Sequence, residues 1–390
     1  MRRRRSGFAV WAVWVLLASA CAAPEQSTTS GSQPSARRAV LARVEPASLD
    51  DFIASRMERS GIPGLSMAIV HDGTVVYENA YGIADLEHTV PVARDSPFKI
   101  ASLTKPITAI AVLQLVERGL VALDRPIGGY LDGLPFQWRA TTVRQLLGQT
   151  SGLPDYLQAP AWSWRDSWRL ERNHREVITM IEAAPMTFRS GEGMKYSNTN
   201  YYLLGMLIER ASGVRYAEYL DAHIFRPLAM SNSRLDSASD LVPRRVRGYT
   251  SEGGKIRNAE FTSDTWAYAE GGVTTTAADL AKLEHALHAE SLLTKASIDL
   301  MWTPTKLTDG RVGVIGDNGA GQPNHYGLGW FISSYKGRTL ILAGGNKPGY
   351  TCTFFRFVDE GLTIILLSNL SSSPLYGMAG EIGEMYLPRR

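Results

Sequence analysis

The sequence predicts an α+β fold in which one antiparallel sheet is built from the two ends of the chain, with a helical region inserted between them. At the first end, Asp72-Gly73 separates two strand-like runs, and Asp-Gly at such a place favours a hairpin. At the other end, strand-like runs follow one another across turns that contain glycine. From about residue 106 to 303, the apolar residues recur at helical spacing. The most economical assembly pairs the strands of both ends in one sheet and packs terminal helices on it.

The individual elements follow in chain order from the same signals. Helices are predicted at residues 49–61, from Ser102 to Gly119, and at 143–147, 176–182, 201–211, 216–224, 277–289 and 375–386. Strands are predicted at 65–70, 74–77, 327–334, 339–343, 351–358 and 362–368. The helix after Ser102 is expected to be amphipathic. Pro106 fits into it because it falls close to the first turn.

Size and charge suit a compact protein rather than a nucleic-acid binder. The chain has 390 residues, 44% of them hydrophobic, and a net charge of only +3. One folded domain is predicted over residues 40–390, with an α/β part at about 49–105 and 304–390 and a helical part at about 106–303. No basic surface for nucleic acid is implied.

Residues 1–21 have the layout of an export signal. Four arginines precede an apolar stretch, which ends in the small residues before Cys21. Cys21 is placed as the lipidated first residue of a bacterial lipoprotein would be, and plain secretion is the open alternative. Residues 22–39 are polar and predict a flexible tether. The expected location is therefore the periplasm or cell envelope, with membrane attachment if Cys21 is lipidated.

Ser102 lies three residues before Lys105, at the start of a predicted helix. Residues three apart share a helix face, so a deprotonated Lys105 can reach the Ser102 hydroxyl and take its proton. The same spacing to a lysine recurs after Ser96 and Ser333, but a proline follows Ser96 and Ser333 runs into a turn. Ser102 is thus the candidate nucleophile, and a helix N-cap is its structural alternative.

Several segments in the same order carry a family resemblance. They are residues 98–105 around the nucleophile, 146–154 with Gln149 where histidine is common, Tyr196-Ser197-Asn198, 271–280 and 326–330. Over residues 49–387 the chain resembles the serine beta-lactamase and penicillin-binding protein superfamily. It is most similar to the class C beta-lactamase-like branch, which includes family VIII carboxylesterases and D-amino-acid peptidases. The resemblance implies a beta-lactamase/transpeptidase-like fold.

The third motif of that family is altered here. Residues 343–345, Ala-Gly-Gly, stand where the family has Lys-Thr-Gly or His-x-Gly. The basic or imidazole side chain is therefore missing at Ala343, which argues against strong beta-lactamase or carboxypeptidase activity. Lys347 is interpreted as a surface residue of the following turn, and a substitute charge for the missing side chain is the alternative.

The resemblance also implies roles for individual residues. Ser102 is the expected nucleophile, and Lys105 and Tyr196 share the general-base work. Tyrosine titrates near pH 10, so Tyr196 acts as a base only if a cation such as Lys105 favours its phenolate. Substrate-binding roles fall to Asn198, Gly345 and Asn346, with the backbone N–H groups of Ser102 and Asn346 as the oxyanion hole.

Three functions remain open at this stage. The leading one is an exported serine hydrolase that forms an acyl-enzyme with small-molecule or peptide substrates containing an ester or amide. The second is a beta-lactamase or D-Ala-D-Ala carboxypeptidase, and the third is a weakly catalytic penicillin-recognising protein of the cell envelope. No cofactor and no metal are expected for any of them.

Overall fold

A computed structural model describes residues 41–42, 44–159, 169–317 and 321–388. Its helices are α1 Pro46–Ser60, α2 Thr104–Glu117, α3 Val143–Leu147, α4 His174–Thr179, α5 Asn198–Ser212, α6 Tyr216–Leu220, α7 Tyr268–Gly271, α8 Ala277–His288, α9 Lys295–Met301 and α10 Leu375–Tyr386. Its strands are β1 Gly64–His71, β2 Thr74–Asp85, β3 Val90–Pro91, β4 Phe98–Lys99, β5 Arg234–Leu235, β6 Tyr249–Glu252, β7 Lys255–Asn258, β8 Val273–Thr275, β9 His325–Tyr326, β10 Phe331–Tyr335, β11 Arg338–Lys347, β12 Tyr350–Phe357 and β13 Leu362–Ser368. The predicted export signal with Cys21, and the predicted tether, lie outside the described residues.

One antiparallel sheet joins the two ends of the chain. Its order is β3-β2-β1-β13-β12-β11-β10-β9, so the first and last long strands are neighbours. Leu65 of β1 lies opposite Ser368 of β13, and His71 lies opposite Leu362. The pairing confirms the α+β class with a sheet made from both termini.

The sheet separates two apolar cores. Along β13, Ile364 and Leu366 face a core that contains side chains of α1 and α10. Ile365 and Leu367 face a larger core that contains side chains of α2, α5 and α8. Successive strand residues point to opposite faces, so a strand covered on both sides must be apolar throughout. The continuous apolar run of β13 follows from this position.

Helix α2 is buried on almost every side, so the prediction of an amphipathic helix was wrong. Every residue from Thr104 to Leu113 is buried. The reason is tertiary, because α2 packs against both α5 and α7 in the larger core. Its sequence is apolar on all faces, which is the pattern of a helix without a solvent face. Ser102 is thereby fixed to a rigid element.

The region between the two ends also carries short strands. β4, β8 and β5 form a three-stranded sheet directly before and beside the nucleophile segment, and β6 pairs with β7 in a hairpin. The backbone N–H of Ile100 donates to the Val273 carbonyl at 3.1 Å. In the described part of the chain, no helix is both long and apolar enough to cross a membrane.

Candidate active site

A tight turn presents the candidate nucleophile. Residues Ala101–Leu103 form a single 3-10 turn that leads into α2. Ala101 has a φ of 45°, which places a residue with a Cβ in the left-handed region. Such a conformation costs on the order of 1–3 kcal/mol and persists only where its surroundings enforce it. Here the backbone N–H of Val273 donates to Thr104 Oγ1 at 3.1 Å, so β8 holds the start of α2.

Lys105 lies directly under Ser102, as the spacing predicted. Its Nζ donates to Ser102 Oγ at 3.0 Å. The side chain is only 1% exposed, so its charge has to be balanced inside the protein. The balance comes from Glu270, whose Oε2 lies 2.8 Å from Lys105 Nζ.

Tyr196 completes a triangle with these two residues. Its hydroxyl is hydrogen bonded to Ser102, and Lys105 Nζ lies 4.8 Å from the centre of its ring. Phe331 stacks on that ring with a centroid distance of 6.1 Å. Burial, and after it the Glu270 carboxylate, raise the pKa of Tyr196 well above its ordinary value. A raised pKa favours the neutral phenol of Tyr196 in the resting site, and its share in the general-base work stays a prediction.

Asn198 connects the triangle to a second carboxylate. Its Oδ1 accepts from Lys105 Nζ at 2.8 Å, while its Nδ2 donates to Asp155 Oδ2 at 3.1 Å. Because an amide has a distinct donor and acceptor end, Asp155 fixes which end of Asn198 faces the lysine. Asp155 directly follows the predicted segment 146–154, and its role was not predicted from the sequence.

Strand β11 passes close to the nucleophile turn and forms a wall of the site. A Cβ on Gly345 would lie 2.2 Å from the Ile100 carbonyl oxygen and 2.8 Å from the Ser102 nitrogen. Only glycine allows so close an approach of two backbones. Asn346 follows Gly345 on the same strand. Ser102 and Asn346, which are predicted to supply the oxyanion-hole N–H groups, therefore border one cleft. Their role as an oxyanion hole stays a prediction.

The cleft above Ser102 has a volume of about 480 Å³. The C-terminal helix α10 contributes Tyr376 to it, and a Cβ on Gly344 would lie 2.2 Å from the Tyr376 hydroxyl. Ala343 is buried in the larger core instead. The described lining residues carry no charged side chain: they are Ser102, Tyr196, Ile315, Phe331, Gly344, Gly345, Asn346, Thr351, Ser372, Ser373 and Tyr376.

Lys347 is not a surface residue, so that interpretation was wrong. It is 7% exposed, and its Nζ forms an ion pair with Asp264 Oδ1. Lys99 Nζ binds the other oxygen of the same carboxylate at 2.5 Å. Burial acts to raise the pKa of Asp264, but the two ammonium groups outweigh it and lower the pKa to about 2. Lys347 is buried because it pairs with Asp264, 83 residues away in the sequence. No local sequence pattern predicts such a pair.

Sequence analysis also missed Glu270. It lies immediately before the segment 271–280 that carried the family resemblance, and it is buried at 4% exposure. A single charged residue in the otherwise uncharged run 265–278 was the available signal. The predicted site residues themselves fall into two groups: Ser102, Lys105, Tyr196 and Asn198 touch one another, whereas Gly345 and Asn346 face them from β11.

Comparisons with known proteins agree with this geometry. The family model described as Beta-lactamase matches residues 49–381. The chain is 31% identical over 324 residues to Penicillin-binding protein 4* of Bacillus subtilis, covering 79% of this chain and 68% of that protein.

Two solved structures extend the comparison. One is a penicillin-binding protein from Bacillus halodurans, with a TM-score of 0.72, 26% identity, and coverage of 85% of this chain and 98% of the other. The other is a D-amino acid amidase from Ochrobactrum anthropi in complex with D-phenylalanine, with a TM-score of 0.70, 26% identity, and coverage of 83% and 92%.

Proposed function

The chain belongs to the beta-lactamase family and is a serine hydrolase of the class C beta-lactamase-like type, and from that premise we propose that it cleaves uncharged esters and amides. The observation that carries the proposal is the Ser102–Lys105 contact of 3.0 Å at the base of a cleft whose described lining side chains carry no charge. The contact supplies an activated nucleophile, and the lining supplies the preference for neutral substrates.

The chemistry is acyl transfer through Ser102. The Ser102 oxygen attacks the substrate carbonyl while its proton leaves towards Lys105. The carbonyl oxygen becomes negatively charged and is held by the backbone N–H groups of Ser102 and Asn346. Tyr196, neutral in the resting site, protonates the leaving group. Water then releases the acyl group from Ser102 by the same steps in reverse.

The substrate preference follows from what the cleft offers. A substrate carboxylate needs a cationic partner or several strong donors when it leaves water. Phe331, Ile315 and Tyr376 instead supply apolar and aromatic surface. The amidase in complex with D-phenylalanine shows that a related fold accommodates a small aromatic amino acid. We therefore place esters and amides with an apolar acyl group first.

Export remains part of the proposal and rests on the sequence alone. Residues 1–21 carry the signal layout, and Cys21 is the candidate lipid attachment point. Expression of the full chain and of the Cys21→Ala variant in a bacterial host tests both parts. A mature protein that begins at Cys21 with two or three acyl chains by mass supports lipidation. A soluble exported protein cleaved elsewhere contradicts lipidation, and an uncleaved cytoplasmic protein contradicts export.

The hydrolase proposal is tested by covalent labelling. Wild type and Ser102→Ala are treated with a fluorophosphonate, and intact mass reports the adduct. Ser333→Ala is the matched control, since Ser333 has the same spacing to a lysine but lies on β10. An adduct on wild type and the control, and none on Ser102→Ala, is expected. Equal labelling of all three proteins, or of none, rules the proposal out.

A penicillin-directed function is the second candidate, favoured by the 31% identity to a penicillin-binding protein. Intact mass after treatment with benzylpenicillin addresses it. A stable Ser102 adduct indicates a penicillin-recognising protein, and rapid turnover indicates a beta-lactamase. The cleft, whose described lining side chains carry no charge, predicts neither in wild type.

A further inference from the structure

Four oxygen atoms surround Lys105 Nζ. They are Glu270 Oε2 at 2.8 Å, the Glu270 carbonyl at 2.9 Å, Asn198 Oδ1 at 2.8 Å and Ser102 Oγ at 3.0 Å. An ammonium has three N–H donors and no lone pair. Three of the four oxygens, all except Ser102 Oγ, can only accept, so they match the three N–H groups of an ammonium and leave the nitrogen no lone pair for the Ser102 proton. Lys105 must therefore release one proton before it accepts another.

Glu270 is the group in contact that is able to take that proton. Three of the four oxygens are very weak bases, because they belong to a hydroxyl, a side-chain amide and a backbone amide. The fourth, Glu270 Oε2, belongs to a carboxylate. The carboxylate is buried, and its second oxygen accepts from the Tyr156 hydroxyl at 3.2 Å. Burying a carboxylate is costly unless it is paired. The ion pair with Lys105 offsets the cost of burying Glu270. It also places a carboxylate base in hydrogen-bond contact with the lysine, at 2.8 Å.

Resting on the proposed function, we infer that Glu270 takes up the proton of Ser102 during acylation, passed on through Lys105. Glu270 does not touch the substrate and acts through Lys105, so it is a positioning residue that also stores a proton. The inference adds a carboxylate to the serine, lysine and tyrosine of the predicted mechanism.

The proton balance closes without any further reagent. As the Ser102 oxygen forms its bond to the carbonyl carbon, the Ser102 proton moves to Lys105 Nζ and one Lys105 proton moves to Glu270 Oε2. The carbonyl π pair moves onto the oxygen. On collapse, that pair re-forms the carbonyl, the bond to the leaving group breaks, and the leaving group takes the Tyr196 proton. During deacylation Tyr196 regains its proton from the water that attacks the acyl group. Ser102 then takes a proton from Lys105, and Lys105 takes one from Glu270, which ends as a carboxylate.

Other titratable groups face the pair from each neighbouring element and set its field. The charged neighbours are one further acid and one further lysine, and the neutral ones are four phenols. They are Asp155 and Tyr156 on the segment before α4, Tyr196 before α5, Tyr201 on α5, Tyr326 on β9 and Lys347 at the end of β11. None of them contacts Lys105 Nζ at a distance comparable with Glu270, so the lysine and this glutamate exchange the proton directly.

A purely structural ion pair and a proton relay predict different pH profiles. With the relay, Glu270 takes the proton, so no proton has to leave to solvent before Ser102 reacts. The reaction rate is then independent of pH around neutrality. Without it, Lys105 must first lose a proton to solvent. The rate then rises about tenfold per pH unit, because one proton has to leave to solvent before the reaction. A structural role alone lowers the rate equally at every pH.

The experiment measures the rate of Ser102 labelling by a fluorophosphonate from pH 6 to 9, which is independent of natural substrate preference. Glu270→Gln keeps the shape and an acceptor for Lys105 but removes the base. We expect a flat wild-type profile and, for the variant, a loss of about 10²–10³-fold at pH 7 with a slope of one against pH. Glu284→Gln is the control, since Glu284 is also buried and paired, with Arg356.

The outcomes separate the two proposals. Absence of Ser102-dependent labelling in wild type overturns the proposed function and the relay together. Labelling with parallel profiles for wild type and Glu270→Gln overturns the relay alone. If the variant does not fold, the wild-type profile decides, because a wild-type rate that itself rises tenfold per pH unit excludes the relay.

Discussion

Two buried lysine–carboxylate clusters lie side by side in this protein, and only one of them touches the candidate nucleophile. Lys105 pairs with Glu270 and donates to Ser102. Lys99 and Lys347 share Asp264, and neither donates to Ser102 in the described structure. Both carboxylates are buried, as are Lys105 and Lys347, and the Lys99 side chain is 13% exposed. Burial and ion pairing therefore do not identify a catalytic lysine, whereas contact with the reacting hydroxyl does.

The second cluster has a positional consequence of its own. Lys99 lies three residues before Ser102, and Lys347 follows Asn346 directly. One carboxylate, Asp264, thus ties together the two backbone segments that are predicted to form the oxyanion hole. We interpret the first cluster as chemical and the second as structural.

The strongest test of this contrast exchanges one lysine in each cluster for methionine. Lys105→Met is expected to lower kcat/KM by about 10³-fold or more, because the base next to Ser102 is lost. Lys347→Met removes a buried cation of similar size, and we expect activity within about tenfold of wild type. The measurement is the rate of ester hydrolysis by each variant, after circular dichroism has shown that the variant is folded. A comparable loss in both variants contradicts the division into two clusters.

A second test concerns the Tyr196 hydroxyl, which lies beside the first cluster. Tyr196→Phe removes the hydroxyl bonded to Ser102 and is expected to lower kcat by about 10²–10³-fold, with little change in stability. Tyr77→Phe is the matched control, because residues 77–79 repeat the Tyr-x-Asn spacing. The Tyr77 hydroxyl bonds to Asp50 of α1, away from the cleft. Steady-state kinetics of both variants decide the point, and an equal effect contradicts the assignment.

The unfolding free energy of an Asp264 variant shows how much the second cluster stabilises the fold. Asp264→Asn removes the carboxylate that pairs with the buried Lys347, while Lys99 keeps Asp236 at 3.3 Å. We expect the unpaired buried charge to cost about 3–5 kcal/mol of unfolding free energy. Asp299→Asn breaks an exposed pair with Lys295 and is expected to cost less than about 0.5 kcal/mol. Urea unfolding of the three proteins tests this, and a loss below about 1 kcal/mol for Asp264→Asn would falsify the structural role.

The smallest expected effect is a pH dependence of stability. The pKa of Asp264 is lowered from 3.8 to about 2, so its contribution is fully present above pH 3.8 and is lost as pH falls from 3.8 towards 2. The contribution corresponds to about 2 kcal/mol. Wild type should therefore lose that much more unfolding free energy than Asp264→Asn between pH 5 and pH 2. Identical acid dependence of the two proteins contradicts the assignment.

The fold and the centre of the site were predictable because they depend on local patterns. The Asp72-Gly73 turn fixed a hairpin, and apolar runs at both ends required a shared sheet. Ser102 and Lys105 are one turn apart, so helix geometry alone brings them together. Tyr196 and Asn198 lie far away in the chain, and only the family resemblance related them to Ser102.

The errors arose where a distant partner decided the outcome. The helix after Ser102 was predicted to be amphipathic, but α5 and α7 cover the faces expected to meet solvent. Lys347 was assigned to the surface, but Asp264 lies 83 residues earlier in the chain and binds it in the interior. Glu270 was overlooked for the same reason, since its partner Lys105 is 165 residues away.

The amino-acid sequence by itself determined the fold class, the nucleophile with its adjacent lysine, and the loss of the third-motif side chain at Ala343. Each of these is written in residues close together in the chain or in motifs with fixed spacing. Tertiary structure alone decided the neutral lining of the cleft, the protonated state of Tyr196 and the carboxylate partners of the buried lysines. Burial and electrostatic fields come from groups distant in sequence, and only folding brings those groups to the same place.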